Sequence, residues 1–257
     1  MMGKQKHFVV GIVLALFVLT FHSAAIAQDT IEIKAATFHP VTHRLTDDAY
    51  KLYGQEVAKR ANGKVNFTWL LGGSLVNPFN SYDQVKSGIC DWTIVMTGKK
   101  ANEFMVTDAV NLPLIVDNSS HAADTLWRMY QEIPEMKKEY KKIKAIGFFS
   151  TASLNLHTKK KAPQSLDDIK GLKVGTPGPS LIKILKALGA SAQQIKPGDI
   201  YIALQRGMIE ATLFPDAPLR SYKLTELVSH HTMMDAAVDV FAVAMNIQKW
   251  KSLPPEI

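Results

Sequence analysis

The side chains best able to do chemistry in this sequence are eight histidines, one cysteine and a few paired carboxylates. His39 and His43 stand four residues apart, the spacing that sets two imidazoles on one helix face for a metal. Pro40 follows the first of them and the acidic residue of an H-E-x-x-H motif is missing, so no zinc site is expected there. His230 and His231 are adjacent. Neighbouring side chains diverge on a helix or a strand, so a surface pair is the expectation. Asp47-Asp48 and Asp167-Asp168 read as charges at helix starts rather than acid–base dyads. Cys90 enters a strand after Ile89 and reads as a small buried hydrophobe. The chain has neither a G-x-S-x-G elbow nor a P-loop. Hydrolysis needs a nucleophile–base pair or a metal set, and these residues offer neither.

Binding chemistry is better represented. Gly175-Thr176-Pro177-Gly178-Pro179-Ser180 joins a strand to an amphipathic helix, where backbone N–H groups can face an anion. Pro177 and Pro179 remove two of the donors, so a plain strand-to-helix turn is an equally good reading.

The elements that must position these residues alternate. Ile31 to Thr37 predicts a strand. Val41 to Ala61 predicts a helix with Leu45, Ala49, Leu52 and Tyr53 on its apolar face, stopped at Asn62-Gly63. Strands follow at 65–71 and 91–96 with a helix at 77–86 between them, then helices at 118–131 and 134–141, then strands at 143–149 and 153–158. The order βαβαβ predicts a largely parallel sheet covered by helices. The pattern restarts with a strand at 172–174, a helix at 180–188 and a helix capped by Asp199. A strand at 209–214 is broken by Pro215, and an apolar strand spans 238–246. Two such α/β units predict two lobes around a cleft, joined by crossing strands.

Composition fits this reading. The 257 residues are 47% hydrophobic and 21% charged, which excludes a disordered tail, and one cysteine excludes an internal disulfide framework. The formal charge of +7 lacks a compact basic block and favours anionic small ligands over nucleic acid. Residues 1–27 show Lys4 and Lys6, an apolar run from Phe8 to Phe21, and Ala25-Ile26-Ala27 before Gln28. That is the pattern of a cleaved export signal, with a soluble periplasmic product and no later membrane span expected.

Several segments, in this order behind that leader, resemble the DctP-type extracytoplasmic solute-binding receptors of TRAP transporters. They include Ile33-Lys34-Ala35-Ala36-Thr37 with His39-Pro40, Gly72-Gly73-Ser74-Leu75, and Val85 to Asp91. Ser165 to Val174 is the most specific stretch, followed by Leu185 to Ala190 and Ile200 to Gly207. The resemblance runs from Ile31 to the end of the chain. It implies an α/β, two-lobed periplasmic-binding-protein fold of type II-like form. Lobe I would cover residues 28–152, lobe II 153–239, and 240–257 would return to lobe I, the family's further C-terminal helices being missing. It also implies a receptor, not an enzyme, that closes on a small organic acid and delivers it to membrane permease subunits. No cofactor, metal or nucleic acid is implied. A receptor for an ATP-driven importer, a ligand sensor, and less readily a periplasmic hydrolase are the alternatives.

The departures bear on the ligand. Family members carry an arginine for the ligand carboxylate where this chain has Gly175, and Asn155 aligns with a second one. Phe214, before Pro215, replaces a ligand-contacting asparagine. Either the Gly175 loop holds the carboxylate through its backbone, or the ligand is bulkier and aromatic, stacking on Phe214 and Trp92. A Phe214 that belongs to the core instead is the bland alternative. The candidate ligand contacts are Phe38, His39, Gly73, Trp92, Thr97, Asn155, Gly175, Thr176, Phe214 and Asp216.

Overall fold

The computed structural model describes residues 30–100, 102–116 and 118–257; the expected leader lies outside them. Two five-stranded sheets organise the chain. The first contains β1 (Ile31–Ala36), β2 (Val65–Leu70), β3 (Trp92–Met96), β4 (Ile143–Ser150) and β10 (Val240–Asn246), in the order β2-β1-β3-β10-β4. The second contains β5 (Leu154–Thr158), β6 (Lys173–Thr176), β7 (Ser191–Gln194), β8 (Ala211–Pro215) and β9 (His230–Thr232), in the order β7-β6-β8-β5-β9.

The expected parallel pairing holds for β1 with β2 and β3, and for β6 with β7 and β8. It fails for β10, which wedges antiparallel between β3 and β4, and for β5, antiparallel to β8 and β9. The reason is topological. The chain re-enters the first sheet from the second, so β10 runs against the strands that leave. Pro215 does not break β8; it is its last residue, opposite Leu154.

The central strands of each sheet are buried on both faces, and the period-two alternation of a strand feeds two cores. Along β3, Trp92, Ile94 and Met96 enter one core while Val95 enters the other. Along β10, Phe241 and Met245 join the first set and Ala242 and Ala244 the second. The second sheet repeats this, with Leu154, Leu156 and Leu213 on one side and Phe214 on the other.

The first helix departs from its expected form. Thr46–Lys51 is a π-turn that runs into α1 (Leu52–Arg60). Widening the turn rotates the face, so Thr46, Tyr50 and Gly54 point inward while Leu52 and Tyr53 are exposed. Gly54 allows a close approach there, because a Cβ would lie 3.0 Å from the Trp69 ring. The remaining helices are α2 (Ser81–Ser87), α3 (Ser119–Glu132), α4 (Pro134–Glu139), α5 (Pro179–Ala187), α6 (Ile200–Gln205) and α7 (Ile247–Ser252). The expected Asp199 cap is not formed; α6 continues from a 3-10 turn at Pro197–Asp199 with no side-chain hydrogen bond.

The two sheets are joined where β4 passes into β5 and where the chain returns to β10. There the Thr151 N–H donates to the Asp239 carbonyl at 2.9 Å, and the Asp239 N–H donates to Thr151 Oγ1 at 3.0 Å. The crossing segments are thus tied to each other.

Candidate functional site

A cavity of about 400 Å³ lies between the lobes, beside this crossing. That volume suits a small organic molecule. Its first wall continues the Trp92–Met96 face of the first sheet, through Phe38, Met96, Phe149 and Phe241. Phe149 and Phe241 are register partners on β4 and β10, and their rings stack with centroids 4.9 Å apart. The second wall comes from the other lobe. Phe214 at the end of β8 meets Tyr222 edge-on at 5.7 Å, and Pro215, Ala217 and Pro218 complete the turn.

The loop after β1 brings the two histidines in. The rings of His39 and His43 stack, 4.0 Å apart and 3° from parallel. His39 Nδ1 shares a hydrogen bond with the Tyr50 hydroxyl at 2.9 Å, and His43 meets Tyr222 edge-on across the cleft. Burial holds His39 well below the ordinary imidazole range, helped by His43, and lowers His43 to about 4. Both rings are therefore neutral at pH 7 and present an aromatic surface. Among the described residues no group of three or more His, Cys, Asp or Glu is placed to hold a metal ion.

Charge enters the lining at three residues, Arg44, Asp48 and Asp239. Arg44 and Asp48 form an exposed pair, Nε to Oδ2, at 3.1 Å. Asp239 sits at the crossing, and its carboxyl is raised to about 6 by burial, with Lys99 opposing the rise and Asp108 adding to it.

Three of the ten expected contacts, Phe38, His39 and Phe214, line this cavity, and Phe214 also belongs to the core of its lobe. The other seven stand elsewhere. Gly175 is buried and does not line the cavity; an added Cβ would lie 2.7 and 2.9 Å from the Cδ1 atoms of Ile209 and Ile195. Trp92 is enclosed by Tyr50, Tyr53 and Trp69. Asn155 accepts from the N–H groups of Met234 and Asp235 and donates to Asp216 at 3.0 Å. Thr176 Oγ1 accepts from the Gly178 N–H, and Thr97 donates to the Val240 carbonyl. Gly73 turns the chain after β2 at a φ of 82°, with its N–H on the Thr37 carbonyl.

His230 and His231 lie at the surface as expected, and His231, though exposed, is also hydrogen-bonded to the second lobe's interior. Its Nδ1 lies 2.7 Å from Nδ1 of His157, whose Nε2 is 3.0 Å from the Phe214 carbonyl. The pair thereby braces the second wall of the cavity.

Sequence reasoning missed His43, Met96, Phe149, Tyr222 and Phe241 as lining residues. A usable signal existed for two of them, since Phe149 and Phe241 flank the segments that pass between the lobes.

Two α/β lobes around an aromatic cavity, tied by crossing segments, define a two-lobed solute-binding protein. The chain belongs to the bacterial extracellular solute-binding protein family 7, DctP, whose model it matches over residues 35–257. This is a family of transport receptors rather than enzymes. A solute-binding protein of Sulfitobacter sp. is 24% identical over 99% of this chain and 76% of its own length. A TRAP solute-binding protein of Rhodoferax ferrireducens, solved with copurified benzoate, is 26% identical with a TM-score of 0.83. A TRAP periplasmic solute-binding protein of Bordetella bronchiseptica, solved with (R)- and (S)-mandelate, is 25% identical with a TM-score of 0.81. Both alignments cover 88% of this chain and 72% of the other. Against curated relatives the chain spans from 28% to 76% of their length. No helix among the described residues is long and apolar enough to cross a membrane.

Proposed function

We propose that this protein is a periplasmic receptor that captures small organic acids bearing an aromatic ring and delivers them to a TRAP-type membrane permease. The observation that carries the reading is the cavity wall itself. Phe38, Phe149, Phe241 and Phe214, with Tyr222 and the neutral His39–His43 stack, enclose a slot suited to a planar ring. The benzoate and mandelate held by the Rhodoferax and Bordetella relatives support this ligand class. The physics of such a receptor is differential affinity. A ligand that touches both walls favours the closed state, and its energy of closure is the difference between the two-walled and one-walled contacts.

The test is a thermal-shift titration of the chain with benzoate, mandelate and succinate. A ligand bound only by the native state raises the melting midpoint by mass action. Benzoate or mandelate is expected to raise it in a saturable way, and succinate is not. A midpoint moved only by succinate would overturn the aromatic reading, and a midpoint moved by none of the three would overturn the organic-acid reading.

A further inference from the structure

The cavity that fits an aromatic ring lacks an obvious seat for the acid. Burial keeps His39 and His43 neutral, and two of the three charged lining residues, Asp48 and Asp239, are carboxylates. Among the charged lining residues, Arg44 alone can attract an anion. Lys99 is no substitute: it does not line the cavity, and its buried ammonium stands 4.9 Å over the Phe79 ring.

Arg44 is placed where an anion could reach it. Thr42, two residues before it, is hydrogen-bonded to Ser221 of the other lobe, which holds this loop at the seam where the lobes meet. Among the described residues its guanidinium makes one hydrogen bond, from Nε to Asp48, and its side chain is 87% exposed. A guanidinium has five N–H donors in a planar fork, so the terminal nitrogens remain available for a bidentate carboxylate. An exposed i,i+4 ion pair is worth only a few tenths of a kcal/mol, so re-aiming the side chain costs little.

We propose that Arg44 is the carboxylate-binding residue of this cleft, with Asp48 as the resident group that the ligand displaces. This rests on the organic-acid reading above. The ligand ring lies inward among the phenylalanines and its carboxylate points toward the mouth. Asp48 then sets affinity by competing for the same guanidinium.

The experiment is calorimetric titration of the full chain and of Arg44→Gln and Asp48→Asn with benzoate and with uncharged benzyl alcohol. Arg44→Gln is expected to weaken benzoate on the order of tenfold or more with a smaller effect on benzyl alcohol, as loss of a charge-assisted pair predicts. Asp48→Asn is expected to tighten benzoate about two- to fivefold, as removal of a weak competitor predicts. Benzoate bound equally by the wild type and Arg44→Gln overturns the assignment of Arg44 while leaving the receptor reading intact. Looser binding by Asp48→Asn overturns the competitor role of Asp48. A wild type that binds no acid overturns the organic-acid reading, and the anchor with it. Both substituted side chains are exposed, so a matching melting midpoint verifies that the variants are folded.

Discussion

Thr42 and Ser221 exchange hydrogen bonds across the mouth of the cleft: Thr42 Oγ1 donates to the Ser221 carbonyl at 3.4 Å, and Ser221 Oγ donates to the Thr42 carbonyl at 3.3 Å. They lie 179 residues apart in sequence and on different lobes, so the pair ties the two lobes together at the mouth. Both bonds are long and exposed, and each is worth on the order of 0.5–1 kcal/mol. Ser221→Ala is expected to weaken benzoate binding about two- to fivefold by raising the population of open chains. Calorimetry gives the affinity, and small-angle scattering of the unliganded protein gives the openness. An unchanged affinity would remove the pair from the closing equilibrium.

Phe149 stacks on Phe241 at 4.9 Å and 15° and contributes one side of the ring slot. Phe149→Ala is expected to reduce affinity for benzoate by about 1–2 kcal/mol, five- to thirtyfold, through lost stacking and burial. Competition titration checks this, and an aromatic acid bound as tightly by the variant would place the ring elsewhere.

Gly175 tests the core against the cleft. An arginine at this position begins with a Cβ 2.7 Å from Ile209 Cδ1 and 2.9 Å from Ile195 Cδ1, so both side chains must shift to admit it. Gly175→Arg is expected to lose about 1–3 kcal/mol of stability from overpacking, without gaining affinity for succinate. Urea unfolding measures the loss. A stable variant that binds succinate would return Gly175 to the site.

His43 makes stability pH-dependent with a definite sign. Its imidazole titrates at about 4 in the fold against 6.5 in the unfolded chain, so between those values the unfolded state binds more protons. Its share of stability is intact above pH 6.5 and is lost as the pH falls toward 4. Asp108 and Asp239, both raised to about 6, act in the opposite sense, since protonation relieves their burial as the pH falls through 6. The wild-type curve mixes these effects, so the useful quantity is a difference. Between pH 7.5 and 4.5 the wild type is expected to lose more unfolding free energy than His43→Gln. Equal losses in urea titrations would show that His43 is not the group responsible.

Much of the fold was legible in the sequence because local rules governed it. The strands Val65–Leu70 and Trp92–Met96 follow from apolar runs placed after glycine stops, and the Leu181, Ile184, Leu185, Leu188 stripe of the helix that begins at Pro179 follows from side-chain spacing. The departures occur where a distant contact overrode the local pattern. Trp69 and Phe67 meet Gly54 of α1 so closely that a side chain there would have to push them aside, and the π-turn sets Tyr50 rather than Leu52 inward beside Trp92.

The site shows the same division. Residues adjacent to recognisable segments, such as Phe38 and His39, could be nominated from the sequence. Gly175 and Asn155 could be nominated too, yet neither lines the cavity, because alignment fixes a position along a strand and not what packs above it. By itself the sequence determined the alternation of elements, the two-unit plan and the family resemblance, since these depend on residue type and spacing. Only the tertiary structure decided that His39 stacks on His43, that Phe149 faces Phe241, and that Arg44 is the cation at the cleft. Each is a relationship set by strand pairing, by a loop's path or by contact between lobes, and no local pattern encodes it.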